Sequence, residues 1–157
     1  MRDLMTSRRT LLVQLAQFGA AALVGALPRA ASASGGIAIT VYKSRSCGCC
    51  TNWVRHMTAA GFDVKAIDTE DVAAVKTQMG VREQYQSCHT GLVGRYVIEG
   101  HVPADLVKKL LKEQPIALGL AVPGMPVGSP GMEQGPPEHF EVMLLARDGS
   151  AKVYAKR

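Results

Sequence analysis

Ile37-Ala38-Ile39-Thr40-Val41-Tyr42, then Ser44-Arg45-Ser46-Cys47-Gly48, then Cys49-Cys50-Thr51-Asn52-Trp53-Val54 is the stretch on which the fold turns. The first six residues are β-branched and apolar on alternate positions, which predicts a strand. Ser44 to Gly48 turns the chain. From Cys50 onward, Trp53, Val54, Met57 and Ala60 fall on one face of a helix, and Gly61 closes it. The chain therefore opens with a strand that runs through a cysteine-rich turn into a helix.

The same alternation continues downstream. Phe62 to Ile67 reads as a second strand, and Thr69 is expected to cap a helix whose face carries Val72, Val75 and Met79 before Gly80 ends it. A looser stretch to Gly94 leads into a strand at 95–99, and Pro103 starts a helix with Leu106, Val107, Leu110 and Leu111 on its buried face. Residues 115–137 differ in kind, since 11 of those 23 are Gly or Pro, and they read as a loop. Within them Pro123-Gly124-Met125 recurs as Pro130-Gly131-Met132. Residues 140–146 and 151–155 flank Asp148-Gly149, a good hairpin signal. The order β-α-β-α-β-α, Pro/Gly loop, hairpin predicts an α/β or α+β sandwich around a small sheet. Periodicity does not supply the strand order.

Residues 1–33 form a separate unit. Arg8-Arg9 precede an uncharged stretch running to Pro28, and Ala31-Ser32-Ala33 follows as a small-residue cleavage site. That three-part order predicts a secretory signal peptide, and the arginine pair points to the twin-arginine route. Residues 34–157 are then the working domain, expected in a periplasm with no stable membrane insertion once the signal is cut. Its 124 residues carry 14 basic and 12 acidic side chains, too even a balance for a nucleic-acid surface driven by bulk charge. Because 55 of the 124 are hydrophobic, intrinsic disorder is excluded, and the length suits one domain with a modest core.

All four cysteines, Cys47, Cys49, Cys50 and Cys88, lie in that domain. Three of them sit at a strand–helix junction, where free backbone N–H groups and the helix dipole favour thiolate over thiol. Such thiolates are nucleophiles for disulfide exchange or soft ligands for Cu(I) or Zn(II). Cys47 and Cys50 have the C-x-x-C spacing of redox dithiols, but Cys49 is superfluous to a plain redox pair. Two structural disulfides would crosslink nearly the same point twice, and a Cys49–Cys50 bridge would be strained. Chemistry explains the four better than stapling.

The pattern Cys47-Gly48-Cys49-Cys50, Ser87-Cys88-His89-Thr90, Tyr96 to Ala104, Gly119 to Pro126 and Gly128 to Glu133 resembles the CopG-like family of exported, predicted metal-binding proteins of periplasmic copper resistance. The likeness covers nearly all of residues 34–157. It implies a thioredoxin-like fold, in which the loop before the third strand faces the cysteine-bearing helix end. Cys88 would occupy that facing position. The resemblance further implies a multinuclear copper–thiolate site with several Cu(I) ions per chain, Cu(I)/Cu(II) redox chemistry, and periplasmic copper-handling partners. Carried over by position, the ligands are Cys47, Cys49, Cys50 and Cys88.

Softer candidates surround these. Met125 and Met132 sit in Pro/Gly loops rather than on a helical face, and thioethers are soft Cu(I) ligands. His89 adjoins Cys88 and is a candidate ligand or orienting group. Trp53 is expected to cover the cysteines. By helix rise His56 lies roughly 10 Å from Cys49 and reads as a surface residue. His101 and His139 read as loop residues, and Met57, Met79 and Met143 as core. Lys108, Lys109 and Lys112 form a solvated helix face. Two other functions compete with copper binding. A thiol–disulfide oxidoreductase would use Cys47 to attack and Cys50 to resolve, but it leaves Cys49, Cys88 and both Pro-Gly-Met loops without a task. A closed four-cysteine zinc site is disfavoured because adjacent Cys49 and Cys50 struggle to reach one tetrahedral ion.

Overall fold

The computed structural model describes residues 35–157. The proposed signal sequence lies outside them. Strand β1 (Ile37–Lys43) and helix α1 (Gly48–Ala59) are followed by β2 (Phe62–Asp68) and α2 (Val72–Gln78). A 3-10 turn at Glu83–Tyr85 precedes a hairpin of β3 (His89–Val93) and β4 (Tyr96–Glu99). Helix α3 (Ala104–Glu113) leads to β5 (Gly119–Ala121), and β6 (Glu141–Leu145) and β7 (Ala151–Lys156) close the chain. The strands form one seven-stranded sheet in the order β2-β1-β3-β4-β5-β6-β7. β1/β2 and β4/β5 are parallel and the other neighbours antiparallel. The two parallel pairs are the ones that need a crossover, which α1 and α3 supply. The mixed α/β architecture expected from the sequence is the one observed.

Helix α1 begins earlier than its apolar pattern indicates. Cys47 is the N-cap and its sulfur accepts from the Cys50 N–H at 3.3 Å, so Cys49 and Cys50 lie within the first turn. Trp53 and Met57 on the predicted face are fully buried against Ile39, Val41 and Ile98 of the sheet. Gly61, at φ +89°, ends the helix as expected. In α3, Leu106, Val107 and Leu110 are buried while Lys108, Lys109 and Lys112 face solvent, and the Asp148-Gly149 turn joins β6 to β7.

Three expectations fail locally. Asp71, not Thr69, caps α2: its carboxylate accepts from Ala74 N–H at 2.8 Å, and Thr69 instead receives the Asp71 N–H. The buried side chain of α2 is Lys76, while Val72, Val75 and Met79 are half-buried. Two strands also escape the pattern. β3 contains Gly91, which packs against Ile39 with little room for a side chain, and β5 has only three residues inside the Pro/Gly-rich segment read as loop. Both are interior strands, so ladder hydrogen bonds on two sides, rather than side-chain alternation, hold them extended. Among the described residues, no helix is long and apolar enough to cross a membrane.

Candidate metal centre

The sheet order brings Cys88 to the helix start. β3 lies beside β1, and Cys88 immediately precedes β3, so it faces the first turn of α1. Cys49 Sγ is 3.5 Å from Cys47 Sγ and 3.9 Å from Cys88 Sγ, while Cys50 Sγ is 3.9 Å from the Cys88 carbonyl oxygen. Cys47 and Cys50 are joined as a disulfide, and Cys49 and Cys88 are free. All four sulfurs lie within 4.8 Å of one another.

A second group shares Cys88. Its sulfur is 2.9 Å from His101 Nε2 and 3.5 Å from His89 Nδ1, and these three ligand atoms are also mutually within 4.8 Å. His101, read from sequence as a loop residue, is wholly buried. Its Nδ1 is 2.8 Å from the Pro130 carbonyl oxygen, which can only accept, so Nδ1 carries the proton. Nε2 therefore presents a lone pair to Cys88. A carbonyl that fixes the tautomer of a histidine is the usual support of a metal-binding imidazole. Burial pushes the His101 pKa below its ordinary value, which keeps the ring neutral.

His89 is held between rings. Its centroid is 4.4 Å from that of Trp53 and 5.0 Å, edge-on, from that of His101. Trp53 is pinned in turn by its Nε1–H donating to Val102 O at 2.9 Å, so it backs the histidine rather than simply lidding the sulfurs. Burial first, then the nearby His101 and Lys76, holds His89 well below the ordinary imidazole pKa. Among the described residues, His89 Nε2 has no hydrogen-bond partner although it is buried, a costly state for a polar atom. Two neutral imidazoles and a sulfur-rich edge form a donor set suited to a soft or borderline metal ion.

Cys88 differs from the helix cysteines. Burial raises its thiol pKa, with repulsion from Cys49 and the Cys49 hydrogen bond adding to it, to about 12. Cys88 is a thiol at neutral pH, and a metal would have to displace its proton.

The Pro/Gly segment builds the outer wall. Gly131, at φ +91°, rests on α1 so closely that a Cβ there would stand 2.8 Å from Cys49 O and 2.9 Å from Trp53 N. The second Pro-Gly-Met repeat thus sits over the helix start, and its Pro130 carbonyl is the one that holds His101. Met132 is half-buried, whereas Met125 in the first repeat is 51% exposed. The first repeat instead contacts the chain before Cys88: Gly124 N–H donates to Gln86 O at 3.3 Å, and Ser87 Oγ donates to Gly124 O. His56, read as a surface residue, is half-buried. Its Nε2 accepts from Ala104 N–H at 3.1 Å, capping α3. His139 lies in a loop, as read, and is exposed.

Sequence reasoning missed His101 because a lone histidine carries no spacing to a partner 13 residues away. The available signal was its setting, Glu99-Gly100-His101-Val102-Pro103, where a strand end and a proline enclose it in apolar chain.

Fold and site together define a class: a thioredoxin-like α/β domain whose sulfur-rich edge, four cysteines and two buried histidines, is arranged around the start of the first helix. Residues 85–132 match the family described as "Protein of unknown function, DUF411". Two solved structures titled copper resistance protein CopG, forms 1 and 2, are 45% identical to this chain, with a TM-score of 0.74. Each match covers 78% of this chain and 98% of the other. No curated protein matches it. The chain belongs to the CopG-like family.

Proposed function

We propose that the chain is a periplasmic copper-binding protein of copper resistance or homeostasis, holding several Cu(I) ions on the thiolates of Cys47, Cys49, Cys50 and Cys88. The observation that carries this reading is the meeting of two ligand groups on one residue: Cys88 shares a 4.8 Å neighbourhood with three other sulfurs and with two imidazoles. A single tetrahedral ion would use four donors, and here six are gathered. Sulfurs that bridge ions hold more than one of them without an unbalanced charge. His101 and His89 complete the set, and Met132 is better placed than Met125 to add a thioether. The names of the 45%-identical relatives support the copper assignment.

The Cys47–Cys50 disulfide supports redox chemistry with copper as substrate. When both are thiols, closing the disulfide releases two electrons and two protons. Those electrons reduce two Cu(II) to two Cu(I), which Cys49, Cys88 and the histidines stand ready to receive. Residues 1–33 act as a twin-arginine signal that delivers residues 34–157 to the periplasm, where other copper-handling proteins exchange the metal.

A second reading has one observation in its favour. Cys47 is partly exposed and caps α1, whereas Cys50 is fully buried, the arrangement of an attacking and a resolving thiol. A thiol–disulfide oxidoreductase would use them so, but it gives no task to the Cys88–His101 pair. Anaerobic titration of the reduced domain with Cu(I) against a competing chelator separates the two. Several tightly held ions per chain, fewer in Cys88→Ser, are expected. One weak ion or none would sink the copper reading and favour the dithiol enzyme.

A further inference from the structure

Cys88 is the corner of the site that no helix holds. It lies between the 3-10 turn and β3, and the segment 86–88 has no ladder partner. Its anchor is a buried carboxylate. Glu99, wholly buried at the end of β4, accepts from Ser87 N–H at 2.7 Å and from Lys76 Nζ at 2.6 Å through Oε1. Through Oε2 it accepts from Thr90 Oγ1 at 2.7 Å, and Lys76 Nζ also reaches Thr90 Oγ1 at 3.0 Å. Ser87 and Thr90 bracket Cys88 and His89. Gly100 admits the arrangement, because a Cβ there would fall 2.5 Å from Ser87 Cβ.

A buried ion pair is a poor device for stability, since desolvation of both charges offsets their attraction and an apolar pair of similar volume serves as well. What Glu99 supplies beyond that is direction. One carboxylate ties α2, the irregular segment before Cys88 and β3 to a single point, and an apolar residue would leave the Ser87 N–H without an acceptor. We propose that Glu99, fixed by Lys76 and Thr90, is the positioning residue for Cys88, holding its thiol at the helix cysteines through the Ser87 amide. The consequence for copper rests on the proposed role of Cys88 as a ligand; the positioning itself does not.

The test is made without metal. In a Cys47→Ser, Cys50→Ser background, Cys49 and Cys88 are the only thiols. Phenylarsine oxide bridges two thiols only when they stand together, forming two As–S bonds with loss of water. Two charge-free variants are compared in that background. Lys76→Met with Glu99→Gln keeps an acceptor for Ser87 N–H; Lys76→Met with Glu99→Met does not. Arsenical affinity is expected to hold in the first and to fall about tenfold in the second, the scale of one lost buried hydrogen bond. A merely structural ion pair would lower the melting temperature of both and leave arsenical capture by the folded protein alike. Equal capture in the two overturns the proposal.

Should the methionine variant not fold, Glu99→Asp keeps the charge and shortens the arm by one CH2. Its capture is expected to fall about threefold, and unchanged capture overturns the proposal just as well. Cu(I) titration in the native-cysteine background then separates the two ideas. If arsenical capture falls while Cys88→Ser leaves copper binding intact, the positioning stands and the copper role of Cys88 is what fails.

Discussion

Replacing Gly131 with alanine tests whether the second Pro-Gly-Met loop rests on the metal centre. At φ +91° an L-residue is strained by about 1–2 kcal/mol. The new Cβ would also press on Cys49 O at 2.8 Å and Trp53 N at 2.9 Å, both backbone atoms of α1 that cannot rotate away. Overpacking of that kind costs about 1–3 kcal/mol. The loop can relieve the clash by lifting, at the expense of the hydrogen bond His101 Nδ1–Pro130 O, about 1 kcal/mol. The expected loss is therefore about 2–4 kcal/mol, or a melting point lower by roughly 6–15 °C for a domain of this size. Gly124→Ala is the matched control from the first repeat. It has φ +69° but nothing within 4 Å of its would-be Cβ, so only the strain of about 1–2 kcal/mol applies. Thermal melts of both variants, followed by Cu(I) competition, make the comparison. Lifting the loop frees the His101 tautomer, so Gly131→Ala should also bind copper less tightly. Equal melting points for the two variants, or an unchanged Gly131→Ala, would refute the packing on which the His101 argument stands.

Other outcomes follow from the same geometry. Cys49→Ser should lower the number of Cu(I) ions held, while disulfide-reductase turnover by Cys47 and Cys50 survives; parallel loss of both would contradict that division. His101→Leu removes a neutral nitrogen from the cluster and should weaken Cu(I) binding about tenfold, measured by chelator competition; native affinity would exclude the histidine from the site. His56 gives a pH signature. Burial depresses its pKa, partly opposed by Glu133 and Asp105, so the unfolded chain takes the proton more readily. Its neutral, capping form is stabilising above the ordinary histidine range, and that contribution is lost as pH falls from about 6.5 through the lower folded value. Urea midpoints of the native chain and of His56→Gln at pH 8 and pH 5 should differ more at the higher pH. An identical gap at both would refute the assignment.

The order of most elements was legible because local signals agreed with the fold. Ile37–Tyr42 alternates, Trp53 and Met57 repeat at helical spacing, and Asp148-Gly149 turns a hairpin. Each needs only neighbours in sequence. Where local and tertiary demands diverged, the tertiary ones prevailed. Gly91 weakens β3 on its own, yet β1 and β4 clasp it from both sides. Lys76 shares the face of α2 that carries Val72, Val75 and Met79, and a lysine on its own prefers water, yet Glu99 draws it inward.

The centre divides along the same line. By itself the sequence determined that Cys47, Cys49 and Cys50 crowd one helix start, because their mutual distance is set by a few bonds and one turn. It also supplied, through resemblance, the expectation that Cys88 faces them. Only the tertiary structure decided that His101 points its lone pair at Cys88, that Pro130 fixes that tautomer, and that Glu99 reaches the Ser87 amide. Those contacts join residues 12 to 29 positions apart across different strands and loops. Their geometry depends on sheet order and loop packing, which no periodicity along the chain encodes.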